Sequence, residues 1–178
     1  AFRSWATDRI IADAVRSWLD GKVVDIRSPN ATRPWQHVLE PLSGYLDLAS
    51  ALWANKQGIR VESFNFGPSS TVNKTVVDLI EELSNYWQPK EKINKFYSVS
   101  DNRPFHEATL LKLNCDKALF HLKWEPTLDF SECVSFVGEW YNHYYNSKDQ
   151  IDMLELTMNQ ISSYEFQARS KEIFWTAK

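Results

Sequence analysis

Two arginines in the sequence stand directly before a proline, and each has a histidine close behind it. Arg33 is followed by His37, and Arg103 is followed by His106. A proline favours an extended backbone in the preceding residue, and an extended arginine presents a planar, charged fork that suits phosphate or carboxylate groups. Together with Arg9, these arginines could neutralise a diphosphate, each charge-assisted contact contributing roughly 1.5–3 kcal/mol. The residue types leave a second interpretation open, a surface turn whose arginine pairs with a nearby acid.

Other kinds of chemistry find little support in the sequence. Motifs typical of dinucleotide loops, phosphate loops, serine nucleophiles and zinc proteases are absent, and the histidines are too scattered for a metal site to be predicted. Cys115 and Cys133 lack the CxxC spacing and are predicted to be reduced thiols, Cys133 on the apolar face of a helix. Glu107 beside His106 could form an acid–base pair or be a structural carboxylate. The residue pattern alone therefore does not establish an enzyme.

Length and composition indicate one globular domain. The chain has 178 residues, enough for a proper core, and its hydrophobic fraction of 43% is too high for a disordered chain. Its heavy aromatic load favours either stacking on flat ligands or a bulky core. A net charge of −3 without a sustained basic run argues against binding to nucleic acid. No apolar stretch reaches the roughly 18 residues of a membrane span, and no signal sequence is present, so we predict a cytoplasmic protein.

Helical periodicity alternates with strand-rich runs along the chain, which predicts an α/β fold. The run 60–66, followed by Gly67-Pro68 and a helix, is typical of the loops at which such folds bind ligands. The chain from residue 149 is amphipathic and then polar, and its end is predicted to be poorly ordered. Predicted helices cover about 8–20, 40–55, 72–88, 116–121 and 130–145, and predicted strands cover about 22–27, 60–66, 95–99 and 108–113.

Five blocks of the sequence resemble the CDP-glucose 4,6-dehydratases, which belong to the extended short-chain dehydrogenase/reductase family. The blocks are WATDRIIADAVRSW (5–18), TRPWQHVLEPLSGYL (32–46), FNFGP (64–68), HEATLLKLNCDKA (106–118) and WEPTL (124–128). The second block is long and specific, and it separates this subgroup from the dTDP-glucose and GDP-mannose dehydratases. The resemblance covers nearly the whole chain.

The resemblance implies a piece of a longer enzyme. By the family layout, residues 1–178 form a single nucleotide-sugar-binding region in the C-terminal half, and about 38–68 pack on a Rossmann domain outside this chain. That domain binds NAD and carries the catalytic residues upstream. The implied activity is that of an NAD-dependent lyase, which converts CDP-glucose to CDP-4-keto-6-deoxyglucose with loss of water. The chain alone is expected to be inactive, and the full-length protein is expected to be a bacterial homodimer in dideoxysugar synthesis for O-antigen.

The resemblance also implies roles for individual residues in binding CDP-glucose. Two arginines would clamp the diphosphate, with a third arginine and a histidine nearby, and backbone groups of one strand would lie against the cytosine. The implied substrate-binding residues are Arg9, Val24, Ile26, Arg33, Ser70, Arg103 and His106. The contacts of Gln36 and His37 are not assigned by the resemblance.

Two alternative functions stay open. The chain could be a non-catalytic module that binds CDP-sugars, or it could belong to a related CDP-sugar epimerase or reductase, because binding motifs outlast chemistry. The presence of a glycine-rich loop and a YxxxK pair upstream in the same polypeptide would exclude the non-catalytic module.

Overall fold

In a computed structural model, the chain folds into α-helices around a small parallel sheet, which confirms the predicted α/β fold class. The structure describes residues 8–56, 58–59, 62–88, 95–100, 109–146 and 152–177. No helix in these ranges is long and apolar enough to cross a bilayer. The elements are α1 (Ile10–Leu19), β1 (Val24–Ile26), α2 (Leu39–Trp53), α3 (Val76–Ser84), β2 (Tyr97–Val99), α4 (Asp116–Leu122), α5 (Phe130–Asn146), α6 (Met153–Ser170) and a 3-10 turn (Phe174–Ala177).

The sheet consists of β1 and β2, which pair in parallel with Val24 opposite Tyr97. The side chains of Val24 and Ile26 are buried, whereas Asp25 between them is exposed. This alternation follows from the two-residue period of a strand, which points successive side chains to opposite faces. Both strands lie inside the ranges predicted for them: β1 is shorter at both ends, and β2 begins two residues later and ends at the predicted residue.

The main core lies between α1, α3, α5 and the buried face of β1. Trp18 is its largest fully buried side chain, and its indole N–H donates to the carbonyl of Phe96 at 2.8 Å. Leu79, Ile80 and Val134 are at most 1% exposed in the same cluster. Burying each such side chain stabilises the fold by roughly 1.5–3 kcal/mol. The helical spacing of apolar residues in α1, α3 and α5 is therefore explained by one shared core.

Two helices begin later than predicted, each for a local reason. Asp8 has a left-handed backbone with φ of 61°, so α1 starts only at Ile10. The helix α3 starts at Val76 rather than near residue 72, because Thr75 and Asp78 form a reciprocal capping box. The Thr75 N–H donates to the Asp78 carboxylate at 2.7 Å, and the Asp78 N–H donates to the Thr75 hydroxyl at 3.0 Å. A Thr-x-x-Asp pattern fixes a helix start more firmly than hydrophobic periodicity does.

Two predicted strands do not form in the described ranges. Residues 62–66 are irregular, and the run 109–113 contributes only an isolated bridge between Leu110 and Thr32. A strand needs a neighbour that accepts and donates its backbone hydrogen bonds. In the part of the chain that the structure describes, 62–66 has no such neighbour, so its β-rich composition is not sufficient to make a strand.

The helix α2 packs against the rest of the chain through a different face from the one predicted to be apolar. Its buried positions are Glu40, Gly44, Asp47 and Ala51, which recur at helical spacing. The position of Gly44 is in direct contact with the ring of Phe66, which leaves no room for a side chain. The apolar residues that sequence periodicity predicts on one face of this helix are all exposed, and they are Leu42, Tyr45, Leu46, Ala49, Leu52 and Trp53.

The C-terminal part of the chain is more ordered than predicted. Residues 153–170 form the helix α6, in which Tyr164 and Ala168 are buried. The Lys171 ammonium follows this helix and donates to the carbonyl of Thr127 at 2.7 Å. The prediction of a poorly ordered end was therefore wrong for α6, because three buried residues on one face, Gln160, Tyr164 and Ala168, suffice to dock a mostly polar helix.

Candidate functional site

Arg33 lies where three segments of the chain meet. The Thr32 N–H just before it donates to the carbonyl of Thr109 at 2.9 Å, and the Leu111 N–H donates to the carbonyl of Thr32 at 3.4 Å. On its other side, Thr32 forms an antiparallel bridge with Thr75. The half-buried guanidinium of Arg33 donates through Nη1 to the carbonyl of Thr32 at 2.8 Å. The backbone next to Arg33 is therefore fixed from two sides.

The residues that follow Arg33 complete a rigid turn. The Trp35 N–H donates to the carbonyl of Arg33 at 2.8 Å, which closes the turn around Pro34. The indole N–H of Trp35 donates to the carbonyl of Lys74 at 3.0 Å. The amide of Gln36 donates through Nε2 to the carbonyl of Phe66 at 3.1 Å. This segment, 32–36, is called the arginine turn below.

The other predicted site residues occupy different environments. Arg9 is exposed at the N-cap of α1. The side chains of Val24 and Ile26 lie in the core. In their backbones, the Val24 N–H donates to the carbonyl of Phe96, and the Ile26 carbonyl accepts from the N–H of Ser100. These backbone groups are used within the sheet, so a ligand contact from β1 would need a different atom.

Ser70, another predicted site residue, lies two positions after the FNFGP block. Ser70 is exposed, and its carbonyl accepts from the Lys112 ammonium at 2.7 Å. Arg103 and His106 lie outside the described residues, in the stretch just before Thr109. The diphosphate clamp stays a prediction, although Thr32 is paired with the segment that this stretch leads into.

His37 is a buried structural residue. Only 3% of its surface is exposed. Its Nδ1 accepts a hydrogen bond from the Leu39 N–H at 3.3 Å, and its ring packs edge-on against the ring of Phe136, with the centroids 5.5 Å apart. The Nδ1 contact accounts for one backbone donor at the start of α2, where the first N–H groups have no partner within the helix. This position gives His37 a role in holding α2 rather than in contacting solvent.

Glu40 forms the centre of a buried polar cluster. The residue is fully buried, and its carboxylate accepts from the Thr127 N–H at 3.0 Å and the Leu128 N–H at 2.7 Å. The hydroxyl of Tyr164 lies 3.1 Å from the same carboxylate. Desolvation raises the pKa of Glu40, and these hydrogen bonds and the charge of Lys171 oppose that rise. Burial likewise raises the pKa of Tyr164.

Ser43 extends the cluster one helical turn further. Its hydroxyl donates to the carbonyl of Glu40 at 2.8 Å and accepts from the indole N–H of Trp124 at 3.1 Å. The cluster therefore joins the blocks 32–46 and 124–128, both of which carry the resemblance described above. Glu40, Ser43 and Tyr164 were not predicted from the sequence as site residues.

Beside the arginine turn lies a cavity of about 300 Å³. Its wall includes Trp35 and Gln36 from the turn, Ser69 from the following loop, Phe130 from α5 and Lys171 from the end of α6. Cys133 also lines it, and burial raises the pKa of this thiol to about 12, so the thiol is inert at neutral pH. Within the described ranges, no three His, Cys, Asp or Glu residues converge in a way that could hold a metal ion.

Comparison with known proteins gives the sequence a context. No model of a known protein family matches it. CDP-glucose 4,6-dehydratase of Salmonella typhimurium strain LT2 is 37% identical over 161 residues, which are 90% of this chain and 42% of that enzyme. The predicted resemblance to CDP-glucose 4,6-dehydratase is confirmed. The chain thus spans less than half the length of the CDP-glucose 4,6-dehydratase that it matches.

Solved structures show the same fold at lower identity. UDP-glucuronic acid 4-epimerase of Bacillus cereus, in complex with NAD, superposes with a TM-score of 0.61 at 16% identity, over 80% of this chain and 41% of the epimerase. dTDP-glucose 4,6-dehydratase of Bacillus anthracis strain Ames, also in complex with NAD, gives a TM-score of 0.55 at 22% identity, over 78% of this chain and 41% of that enzyme. The chain has the fold of part of an extended short-chain dehydrogenase/reductase.

Proposed function

We propose that the chain is the nucleotide-sugar-binding part, from the C-terminal half, of an NAD-dependent CDP-glucose 4,6-dehydratase. The full-length protein would convert CDP-glucose to CDP-4-keto-6-deoxyglucose with loss of water. The 37% identity to the Salmonella enzyme over 90% of this chain carries the proposal. By the same resemblance, the full-length protein would be a cytoplasmic homodimer that acts in bacterial dideoxysugar synthesis for O-antigen.

The contribution of this chain is to bind and orient the substrate. A guanidinium can donate two parallel hydrogen bonds to a phosphate group, and the arginine turn holds the backbone around Arg33 in one geometry. We propose that Arg33 and Arg103 contact the diphosphate, with Arg9, His106 and Ser70 close to it. The backbone of β1 would lie beside the cytosine. The catalytic groups are proposed to lie upstream of this chain.

NAD is proposed to bind outside this chain. When bound in such enzymes, NAD supplies hydride chemistry. The residues present do not fit the cofactor, because the sequence has no GxGxxG loop between a strand and a helix. No NAD contact is therefore assigned to any residue of this chain.

The exposed face of α2 is proposed to pack on the dinucleotide-binding domain of the full-length protein, as part of the region 38–68. Leu46 is 72% exposed and Trp53 is 91% exposed, and both belong to one continuous apolar side of the helix. Large contiguous apolar patches on a protein surface mark sites of contact with another protein surface. The irregular run 62–66 lies next to this helix in the chain and would gain a strand neighbour from the same domain.

Isothermal titration of the full-length protein with CDP tests the substrate assignment. Arg33→Ala and Arg103→Ala together should weaken CDP binding by about a hundredfold or more, to below detection, because each removes a charge-assisted contact worth at least about tenfold in affinity. Arg169→Ala is the matched control, since this arginine is exposed on α6 and pairs with Glu165. Unchanged affinity for CDP in the double variant would refute the clamp.

A second candidate is a CDP-sugar epimerase. Enzymes with different chemistry can share the motifs that bind a nucleotide-sugar, and at 16% and 22% identity the likeness to the epimerase and to the dehydratase extends to the fold alone. Incubating the full-length protein with CDP-glucose and NAD, followed by mass analysis of the product, separates the two. Loss of 18 mass units, about the mass of one water molecule, identifies the dehydratase, whereas an isomer of unchanged mass identifies the epimerase.

A further inference from the structure

We propose that Gln36 is a positioning residue that holds Arg33 and the Ser70 loop at one fixed separation, so that both face the same diphosphate. The inference rests on the proposed function, because it assigns Gln36 a role in that binding site. Gln36 itself would make no contact with the ligand. It would act through the arginine turn.

The anchor of Gln36 is a rigid part of the fold. Its Nε2 donates to the carbonyl of Phe66 at 3.1 Å. Phe66 is 5% exposed and lies edge-on against Trp124, with ring centroids 5.0 Å apart, while its other side touches Gly44. Because Phe66 is tightly packed, its carbonyl holds the Gln36 side chain in one position. The arginine turn is therefore fixed relative to the residues that follow Phe66.

The residues that follow Phe66 lead within four positions to Ser70. The bond from Gln36 thus joins the two segments for which the family resemblance implies phosphate binding. Trp35 adds a second tie from the same turn, through its indole N–H to Lys74 at 3.0 Å, on the far side of the Ser70 loop. The loop between these two anchor points is held at both ends by side chains of the arginine turn.

The chemistry of Gln36 also argues against a simple packing role. Its Oε1 is buried and finds no hydrogen-bond partner among the residues that the structure describes. A buried amide with one unsatisfied group is less favourable than an apolar side chain of similar size. Burial of this glutamine therefore does not by itself stabilise the fold. The hydrogen bond from its Nε2 to Phe66 explains a glutamine at this position better than packing does.

The test compares CDP with cytidine, because the difference between their affinities reports the contacts to phosphate. The variant Gln36→Met keeps the length of the side chain and removes its hydrogen bond. In the full-length protein, Gln36→Met should weaken CDP binding about tenfold and leave cytidine binding unchanged, since a misplaced charged group loses most of its contact. A loss of packing alone would weaken both ligands equally.

A double-variant cycle shows whether Gln36 acts through Arg33. The effect of Gln36→Met on CDP affinity should vanish in an Arg33→Ala background, because the group being positioned is gone. Equal effects in both backgrounds would overturn the inference. If Gln36→Met does not fold, Gln36→Leu removes the same hydrogen bond and replaces it in the cycle.

The outcomes also separate this inference from the proposed function. If Arg33→Ala leaves the ratio of CDP to cytidine affinity unchanged, the proposed diphosphate contact itself is wrong. If Arg33→Ala lowers that ratio and Gln36→Met does not, the diphosphate contact stands and the positioning role of Gln36 is wrong.

Discussion

The hydroxyl of Tyr164 lies 3.1 Å from the carboxylate of Glu40, although 124 positions separate the two residues. The same hydroxyl lies 3.0 Å from the hydroxyl of Ser43. Since Glu40 and Ser43 belong to α2 and Tyr164 belongs to α6, one buried phenol ties the C-terminal helix to the helix that follows the arginine turn.

We expect Tyr164→Phe to destabilise the protein by about 1–3 kcal/mol, because the variant removes a buried hydroxyl that bonds to a carboxylate, although Glu40 and Ser43 keep their other hydrogen-bond partners. The free energy of unfolding in urea measures the effect. Tyr144→Phe is the matched control, since Tyr144 is 52% exposed and should change stability by less than about 0.5 kcal/mol. Equal stability of wild type and Tyr164→Phe would show that the phenol contributes only its ring.

Glu40 should make stability depend on pH above the ordinary carboxyl range. Because desolvation raises the pKa of Glu40 from 4.5, the folded state binds its proton more tightly than the unfolded state does. This contribution is fully present below pH 4.5 and is lost as the pH rises through the folded-state pKa. Unfolding in urea at a series of pH values should show the decline, and Glu40→Gln should remove it. A decline of the same size in Glu40→Gln would assign it to other groups.

Asp78 should act in the opposite direction at lower pH. The hydrogen bond from the Thr75 N–H lowers the pKa of Asp78 from 3.8, so its contribution is present above that value and is lost as the pH falls through the folded-state pKa. Asp78→Asn should reduce the sensitivity of unfolding to acid below pH 3.8. If the variant unfolds in acid as the wild type does, the negative charge of Asp78 does not contribute to the free energy of unfolding.

Gly44→Ala should destabilise the fold by about 1–3 kcal/mol, because the added methyl group meets the packed ring of Phe66. Thermal unfolding is a suitable measurement. Ser50→Ala on the exposed side of α2 serves as the control, and it should raise or preserve stability because alanine has the higher helix propensity. A stable Gly44→Ala variant would mean that Phe66 can move aside.

Cys133 should resist alkylation in the folded protein. It is 2% exposed, and burial raises the pKa of its thiol to about 12, so almost none of it is thiolate at pH 8. Cys115 is only half-buried and should react with iodoacetamide first, with mass spectrometry counting the modified sites. Both cysteines should react in denaturant. Rapid labelling of Cys133 under native conditions would show that α5 opens locally.

Local pattern predicted those parts of the fold that depend on residues near in sequence. The range predicted for α5, 130–145, differs from the observed Phe130–Asn146 by one residue, and α4 and two of the four predicted strands were also found. The confirmed burial of Cys133 follows from the same periodicity. In these elements the buried residues are the apolar residues that recur in the element's own sequence, so periodicity is sufficient to predict them.

The rest depended on partners that periodicity cannot identify. The apolar residues of α2 do share one face, but that face is exposed. The helix packs through the opposite face, where Gly44 contacts Phe66 and Glu40 contacts Tyr164. The run 62–66 lacks a neighbouring strand in the described ranges. In the site, the turn at Arg33 could be predicted from Pro34, whereas the Glu40 cluster joins residues up to 124 positions apart and could not.

The exposure of Trp53 gives the protein a built-in optical reporter. An indole that is 91% exposed emits at long wavelength, as in water, whereas Trp18 and Trp124 are already shielded from solvent at 2% and 1%. When another surface covers this side of α2, the emission of Trp53 shifts to shorter wavelength and that of the two shielded indoles does not. Association can thus be followed by fluorescence without a dye, with Trp53→Phe supplying the blank.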